Sequence, residues 1–214
     1  FQVVTVANPS IICLQETKLK VVTSEIIRHC LGNKFEKFFY LPASGTRGGV
    51  LIAWDPIVAA LSNPHTTDNT LTALVTPVDG GDPKWWLTGV YGPQGDAEKV
   101  QFLQEIADVR DLHAGPWALV GDFNLIVNPE DKNNTSINRR MMARLRTILN
   151  RLELKELYLN GRRYTWSNER RDPTLEKLDH VFDTNSWEDK FPASLLAAMG
   201  SAVSDHCPLL LDLD

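Results

Sequence analysis

The sequence predicts a layered α/β protein in which two β-sheets pack face to face and helices cover their outer sides. Two observations carry this expectation. At least seven short runs rich in β-branched and aromatic residues are spread along the chain, each about as long as an ordinary strand. Clear helical periodicity, by contrast, occurs in only two places, too few helices to cover both faces of an all-parallel doubly wound sheet.

Taken in chain order, Val3, Val4 and Val6 give the start a helix-like pattern, and SIICL at 10–14 is the first strand. A short helix is expected over 22–31, followed by strands at 49–54 (GVLIAW), 71–78 (LTALVTPV) and 85–91 (WWLTGVY). The stretch 97–112 sets Val100, Leu103, Ile106, Ala107 and Val109 on one helical face. WALVGD at 117–122 is a strand, and a second helix over 139–154 aligns Met141, Leu145, Ile148, Leu149 and Leu152. KLDHVF at 177–182 and PLLLDL at 208–213 complete the set, the last expected as a buried strand.

The 214 residues are 43% hydrophobic, enough for one sizeable core, and no repeat or Gly/Ser-rich linker marks a boundary, so one domain over 1–214 is expected. No apolar run approaches the roughly 20 residues that span a bilayer, and the start lacks a signal-peptide pattern. Three cysteines, two of them inside apolar runs, read as small hydrophobes in a reducing compartment. The net charge of −5 argues against coating nucleic acid by bulk charge. Its distribution is uneven: residues 132–177 hold 12 basic and 5 acidic side chains, the rest 10 basic and 22 acidic. This basic island carries Arg139, Arg140, Arg144, Arg146 and Arg151 on a helix-like stretch, then Arg162, Arg163, Arg170 and Arg171 in loops. It reads either as a solvated surface or as a set of phosphate contacts.

Five strands bring functional groups to or near an end: Glu16 after the first, Tyr91, then Asp122 and Asn124, Asp179, and Asp205 with His206 before the last. Singly, each has an ordinary reading, Asp122 as a turn acid, Glu16 as an exposed residue, Tyr91 as a packed aromatic. Asp179 is harder to dismiss, because a carboxylate inside an apolar strand needs a partner. Together they suggest a site, since a rigid sheet fixes geometry while strand ends reach solvent. His180 points to the opposite face from Asp179 by strand alternation and reads as structural; His29, His65 and His113 read as surface residues without partners. No Cys/His spacing suits a structural zinc site.

Five segments in this order, LQET (14–17), VYGP (90–93), GDFN (121–124), KLDHVF (177–182) and SDH (204–206), resemble the endonuclease/exonuclease/phosphatase superfamily over nearly the whole chain. Within it, SGTRGGVLIAWDP (44–56), NGRRYTWSN (160–168) and LEKLDHVF (175–182) are most similar to the endonuclease domains of LINE-type (non-LTR) retrotransposons, especially those of plants. The resemblance implies a four-layer α/β/β/α sandwich of two packed mixed sheets, DNase I-like, and a Mg²⁺-dependent phosphodiesterase that nicks DNA, with Mn²⁺ as a substitute. It implies Glu16 as metal ligand, with Asp205 completing the metal environment or bracing His206. Asp122 orients or deprotonates the attacking water, Asn124 bonds a phosphate oxygen or holds that water, and Asp179 orients His206, which stabilises transition-state charge. Tyr91 offers its hydroxyl to the phosphate or the leaving group. Arg139, Arg140, Arg162, Arg163, Arg170 and Arg171 lie along the DNA backbone.

Relatives usually open with a strand carrying a WNVRG-like motif whose Asn serves the metal and phosphate site. This chain begins at the helix-like stretch that follows it, so the domain is expected to be N-terminally incomplete and less stable than its relatives. Two other readings keep the fold: a phosphodiesterase or phosphatase acting on inositol or sphingolipid phosphates, and a degenerate remnant that binds nucleic acid without cleaving it. The arginine-rich island favours DNA. A monomer without membrane attachment, nuclear if of retrotransposon type and joined to a reverse transcriptase domain in its parent polypeptide, completes the expectation.

Overall fold

In the computed structural model, which describes residues 2–45, 47–78, 81–200 and 204–213, the packing follows from strands that are apolar on both faces. The first half of the chain forms α1 (Gln2–Ala7), β1 (Ile11–Gln15), α2 (Ser24–Leu31), β2 (Lys37–Leu41), β3 (Val50–Trp54), β4 (Ala59–Thr66), β5 (Thr70–Pro77) and β6 (Trp85–Tyr91). Next come α3 (Asp96–Leu112), β7 (Trp117–Asp122), a 3₁₀ turn (Pro129–Asp131), α4 (Arg139–Arg151), β8 (Leu154–Glu156) and β9 (Leu159–Asn160). The chain closes with β10 (Trp166–Ser167), β11 (Leu175–Glu176), β12 (Asp179–Thr184), α5 (Asn185–Glu188), β13 (Leu195–Ala198) and β14 (Leu209–Asp212).

One mixed six-stranded sheet runs in the order β4-β5-β6-β7-β12-β8, with β6 and β7 parallel and the other pairs antiparallel. Opposite it lie two three-stranded sheets, β1-β3-β2 and β14-β13-β9. β3 shows why the layers stack: Val50, Ile52 and Trp54 join the core between the sheets, whereas Leu51 and Ala53 join the core under α2. A strand whose successive side chains alternate faces can bury all five residues only if both faces are covered. On the far side, Phe102, Leu103, Ile106 and Val109 of α3 and Met141, Leu145 and Leu149 of α4 pack on Trp117, Leu119 and Phe182. The result is the expected α/β/β/α sandwich of packed sheets.

The helix ends follow local rules. Thr23 and Asn138 accept from Ile26 N (3.3 Å) and Met141 N (3.2 Å), capping α2 and α4. Arg110 donates to the His113 and Gly115 carbonyls (3.2 and 2.7 Å), closing the end of α3.

The structure corrects several expectations. Val100 is exposed, and Phe102, fully buried, takes its place on the α3 face. α4 stops at Arg151 and Leu154 opens β8. β14 is half-buried rather than a buried strand, because it ends its sheet. β2, β4 and β13 are strands that hydrophobic pattern does not single out; β4 bulges between Ser62 and His65, where Asn63 adopts a φ of +51° next to Pro64. His65 and His113 are not solitary: their rings lie 5.3 Å apart, and His113 packs on Trp86 at 4.1 Å. His29 is exposed, and His180 is fully buried, as expected. Among the described residues no helix is long and apolar enough to cross a membrane.

Between the two small sheets runs a groove. β1 pairs only with β3 and β14 only with β13 among the described strands, so each ends its sheet. Two cavities of about 300 and 580 Å³ follow this groove and share Cys13, Val120 and Val181, with β1 on one side, the end of the chain on the other and β7 and β12 as floor.

Candidate active site

Strand register assembles the centre of the site. Tyr91 ends β6 and lies opposite Asp122, which ends β7; Asp122 in turn lies opposite Asp179, which opens β12. Residues directly opposite across a ladder share a face, so three adjacent strands deliver Tyr91, Asp122 and Asp179 in one row. Two carboxylates facing each other on a sheet are unfavourable without a cation between them. His206 supplies it, with Nδ1 2.8 Å from Asp179 Oδ2 and Nε2 3.9 Å from Asp122 Oδ2. The second distance is too long for a hydrogen bond and leaves Nε2 free to meet a ligand.

The turn after β7 holds Asp122. Asn124, at a φ of +51°, donates from its backbone N to Asp122 Oδ1 (2.8 Å) and from Nδ2 to Oδ2 (3.1 Å) and to the Gly92 carbonyl (2.7 Å). Gly121 allows this turn: its φ is +136°, and a Cβ there would sit 2.3 Å from the Val90 carbonyl oxygen. Glu16 reaches the same cavity from the end of β1, and its carboxylate acts on the Tyr91 hydroxyl across it. Gly48 makes room for that pair, since a Cβ there would approach Glu16 Cα to 2.7 Å and Tyr91 Cε1 to 2.9 Å.

The electrostatics of the row are strongly perturbed. Burial, reinforced by the Asp179 charge and offset by His206, pushes Asp122 up to about 7. Burial works against the charge on His206, but the hydrogen bond and charge of Asp179, with Asp122 and Asp205 beside them, outweigh it and raise His206 to about 9. Burial, then the Glu16 and Asp122 charges, hold the Tyr91 proton far more tightly than in a free phenol.

The loop before β14 is fixed by Thr165, Trp166 and Ser167 of the NGRRYTWSN segment. Buried Thr165 accepts from Leu178 N (3.0 Å) and Asp179 N (3.1 Å) through Oγ1, and its carbonyl accepts from Cys207 N (2.7 Å). Trp166 Nε1 donates to Asp205 Oδ2 (2.9 Å), and Ser167 N to the Asp205 carbonyl (3.1 Å). One segment therefore positions both Asp179 and His206; the only sequence signal for it is the aromatic pair in NGRRYTWSN.

Glu16, Tyr91, Asp122, Asp179, Asp205 and His206 all line the 300 Å³ cavity, and Asn124 braces Asp122 from behind. Of the arginines, Arg162 and Arg163 line a neighbouring cleft of about 380 Å³ with Trp166, Asp205 and His206. Arg139 and Arg140, on the first turn of α4, and Arg170 and Arg171, between β10 and β11, are exposed. Arg146 is committed to structure, donating to the Val127 carbonyl (2.6 Å) and Asn128 Oδ1 (2.7 Å). Among the described residues no three His, Cys, Asp or Glu side chains converge tightly enough to enclose a metal ion. That donor set does not suit zinc or calcium. It does fit a largely hydrated Mg²⁺, which takes one or two carboxylates and keeps its waters, with Glu16 as donor, its other contact being an exposed ion pair to Lys18 (3.4 Å).

Solved structures share the fold. An AP endonuclease, LMAP, from Leishmania major is 17% identical with a TM-score of 0.75, over 97% of this chain and 79% of that one. The endonuclease domain of TRAS1, a telomere-specific non-LTR retrotransposon, is 17% identical with a TM-score of 0.73, over 99% and 89%. The 3′ phosphatase NExo from Neisseria, bound to a product DNA hairpin, is 17% identical with a TM-score of 0.70, over 100% and 92%. No curated protein matches the sequence. The family model described as Endonuclease/Exonuclease/phosphatase family matches residues 1–206, and with this row of groups on a DNase I-like sandwich the chain belongs to that family.

Proposed function

We propose that the chain is a Mg²⁺-dependent phosphodiesterase that nicks DNA, an endonuclease of the LINE-retrotransposon type. The observation that carries the reading is the row Tyr91, Asp122, Asp179 with His206 held by Asp179 beside the cavity that Glu16 borders. A base poised near neutrality next to a fixed cation is what hydrolysis of a phosphodiester requires. Asp122 takes a proton from the attacking water as the new O–P bond forms and the P–O3′ bond breaks, and the departing 3′ oxygen takes its proton from solvent water. The Nε2 proton of His206 faces the phosphate oxygens, where negative charge grows. Tyr91 holds its proton too tightly to release it, which suits a hydrogen-bond donor to the phosphate or the departing oxygen. A Mg²⁺ held by Glu16 would supply Lewis-acid stabilisation of the same charge. Asp205, tied to Trp166, braces the His206 loop.

DNA as substrate is supported by the cleft that Arg162 and Arg163 share with Trp166 and His206, and by the names of the similar structures, an AP endonuclease, a retrotransposon endonuclease domain and a phosphatase bound to a DNA hairpin. The LINE-type placement rests on the TRAS1 likeness and on the NGRRYTWSN and LEKLDHVF segments. A parent polypeptide with a reverse transcriptase and a nuclear site of action accompany that placement, as does a single domain over 1–214 acting as a monomer.

Supercoiled plasmid with Mg²⁺ or EDTA tests the reading. Metal-dependent nicking, lost in Asp122→Ala and His206→Ala, is the expected result. Binding without nicks would favour a non-cleaving remnant, and release of inorganic or choline phosphate from small esters would favour the phospholipid reading.

A further inference from the structure

Beside Asn124, sharing no lining residue with the Arg162–Trp166 cleft, lies a second cleft of about 420 Å³. Its inner part is apolar, with Ile126, Met141 and Met142, and its rim is polar, with Lys99, Asn124 and Asn138. Most charged groups around it are already committed. Lys132 pairs with Glu176 at 2.8 Å, and Asp96 accepts from Asn138 Nδ2 at 2.9 Å. Lys99, on the first turn of α3 and half-buried, has no carboxylate within ion-pair distance among the described residues. Burial lowers its pKa, with Asp96, Glu176 and Asp122 opposing and Lys132 adding to the lowering, so the charged ammonium is held at some cost and would gain from an anion. The volume suits a small ligand group, and an apolar interior with a cationic rim matches a sugar and base carrying a phosphate.

We propose that this cleft seats the nucleotide adjoining the scissile phosphate on the Asn124 side, and that Lys99 takes that nucleotide's non-reacting phosphate. The inference rests on the phosphodiesterase reading and gives it a substrate requirement, a strand that continues past the cleavage point on that side. Lys99 is then a binding residue that sets the position of the strand and plays no part in the bond changes. Its contribution falls on substrate affinity more than on turnover.

The experiment uses a short DNA duplex with a single known nick site, and versions in which one or the other phosphate flanking that site is an uncharged methylphosphonate. Binding is read by fluorescence anisotropy in EDTA over a salt series, and nicking by steady-state kinetics in Mg²⁺. Lys99→Gln is expected to weaken binding and raise KM about tenfold, as befits one charge-assisted contact, with kcat changed less than twofold. The slope of log K against log salt should fall by about 1, and Lys99→Arg should restore affinity. On the duplex with the methylphosphonate at one flanking position, Lys99→Gln should cost nothing further; at the other flank it should cost as much as on natural DNA. Unchanged affinity and KM in Lys99→Gln, with nicking by the unaltered chain intact, would overturn this inference alone. An equal loss on all three duplexes would overturn it as well, showing a general charge effect. Failure of the unaltered chain to bind DNA at all would remove both this inference and the proposed function. Thermal melting of Lys99→Gln, expected to match the unaltered chain, excludes a folding defect as the cause of any loss.

Discussion

At the scale of single residues, the site depends on two carboxylates pressed together and one imidazole that compensates only one of them directly. Asp179 holds His206 at 2.8 Å, whereas Asp122, at 3.9 Å, keeps the unfavourable position and a pKa raised to about 7. If Asp122 acts as base in its ionised form and His206 as charge stabiliser in its cationic form, kcat/KM should rise with pH through about 7, as Asp122 loses its proton. It should then fall through about 9, as His206 loses its own. Asp122→Asn should remove the rising limb and lower the rate by about 10²–10⁴. Asp179→Asn removes the partner that raises His206, so the falling limb should move toward the ordinary histidine value near 6.5. A pH–rate profile whose alkaline limb stays near 9 in Asp179→Asn would refute the positioning role. These residues were legible in the sequence because each is polar where an apolar strand begins or ends. Thr165 and Trp166 were not, since their roles arise from partners 13 and 39 positions away in the chain, at Leu178 and Asp205, and Lys99 was not, since only the fold brings it to the cleft that Asn124 also lines.

At the scale of elements, β12 is the strand on which both the site and the sheet depend. Asp179 faces the cavity, and His180, on the opposite face, places its ring nitrogens 2.6 Å from Glu156 Oε1 and 2.9 Å from the Leu125 carbonyl. Glu156, on β8, also receives Lys177 Nζ at 2.6 Å. Burial opposes the Glu156 charge, but the His180 bond and charge, then Lys177, outweigh it and bring its pKa down to about 2. A depressed carboxylate contributes stability that is complete above its unfolded value of 4.5 and fades as pH falls toward 2. Glu156→Gln should therefore destabilise the fold by up to about 3 kcal/mol at pH 7, and the difference from the unaltered chain should shrink steadily below pH 4.5. Denaturant unfolding at pH 7 and pH 3.5 measures both; an equal loss at the two pH values would show that shape rather than charge matters at this position. The sequence reading placed β12 at 177–182, two residues early at each end, and set His180 apart as structural, because strand alternation alone separates neighbouring side chains. It passed over β4 and β13 because Asn63 and Pro64 interrupt the first and LLAA reads equally as helix, so pairing with neighbours, not local pattern, makes them strands.

At the scale of the whole molecule, the sandwich is unequal: six strands form one continuous sheet, while the facing layer is split into two sheets of three by the groove between β1 and β14. Strands at a sheet end present backbone groups ready for another strand, and the floor of this groove at Val120 and Val181, with Cys13 on its β1 side, is apolar, as the inner face of an added strand would require. An extended segment laid between β1 and β14 would join the halves in the order β2-β3-β1, new strand, β14-β13-β9, and its end would stand beside Glu16. Fusing such a strand, with apolar and polar residues alternating, ahead of Phe1 should slow hydrogen exchange at amides of both β1 and β14, because a central strand pairs on two sides. A handful of new backbone bonds at about 1 kcal/mol each should raise the melting temperature by several degrees or more. A control strand of the same composition with proline at alternate positions cannot form the ladder and should do neither. Protection confined to one edge would mean that the groove is too wide for a single strand to bridge. Protection at both, with nicking increased over residues 1–214, would show that the layer opposite the six-stranded sheet works as one sheet and that catalysis depends on its continuity.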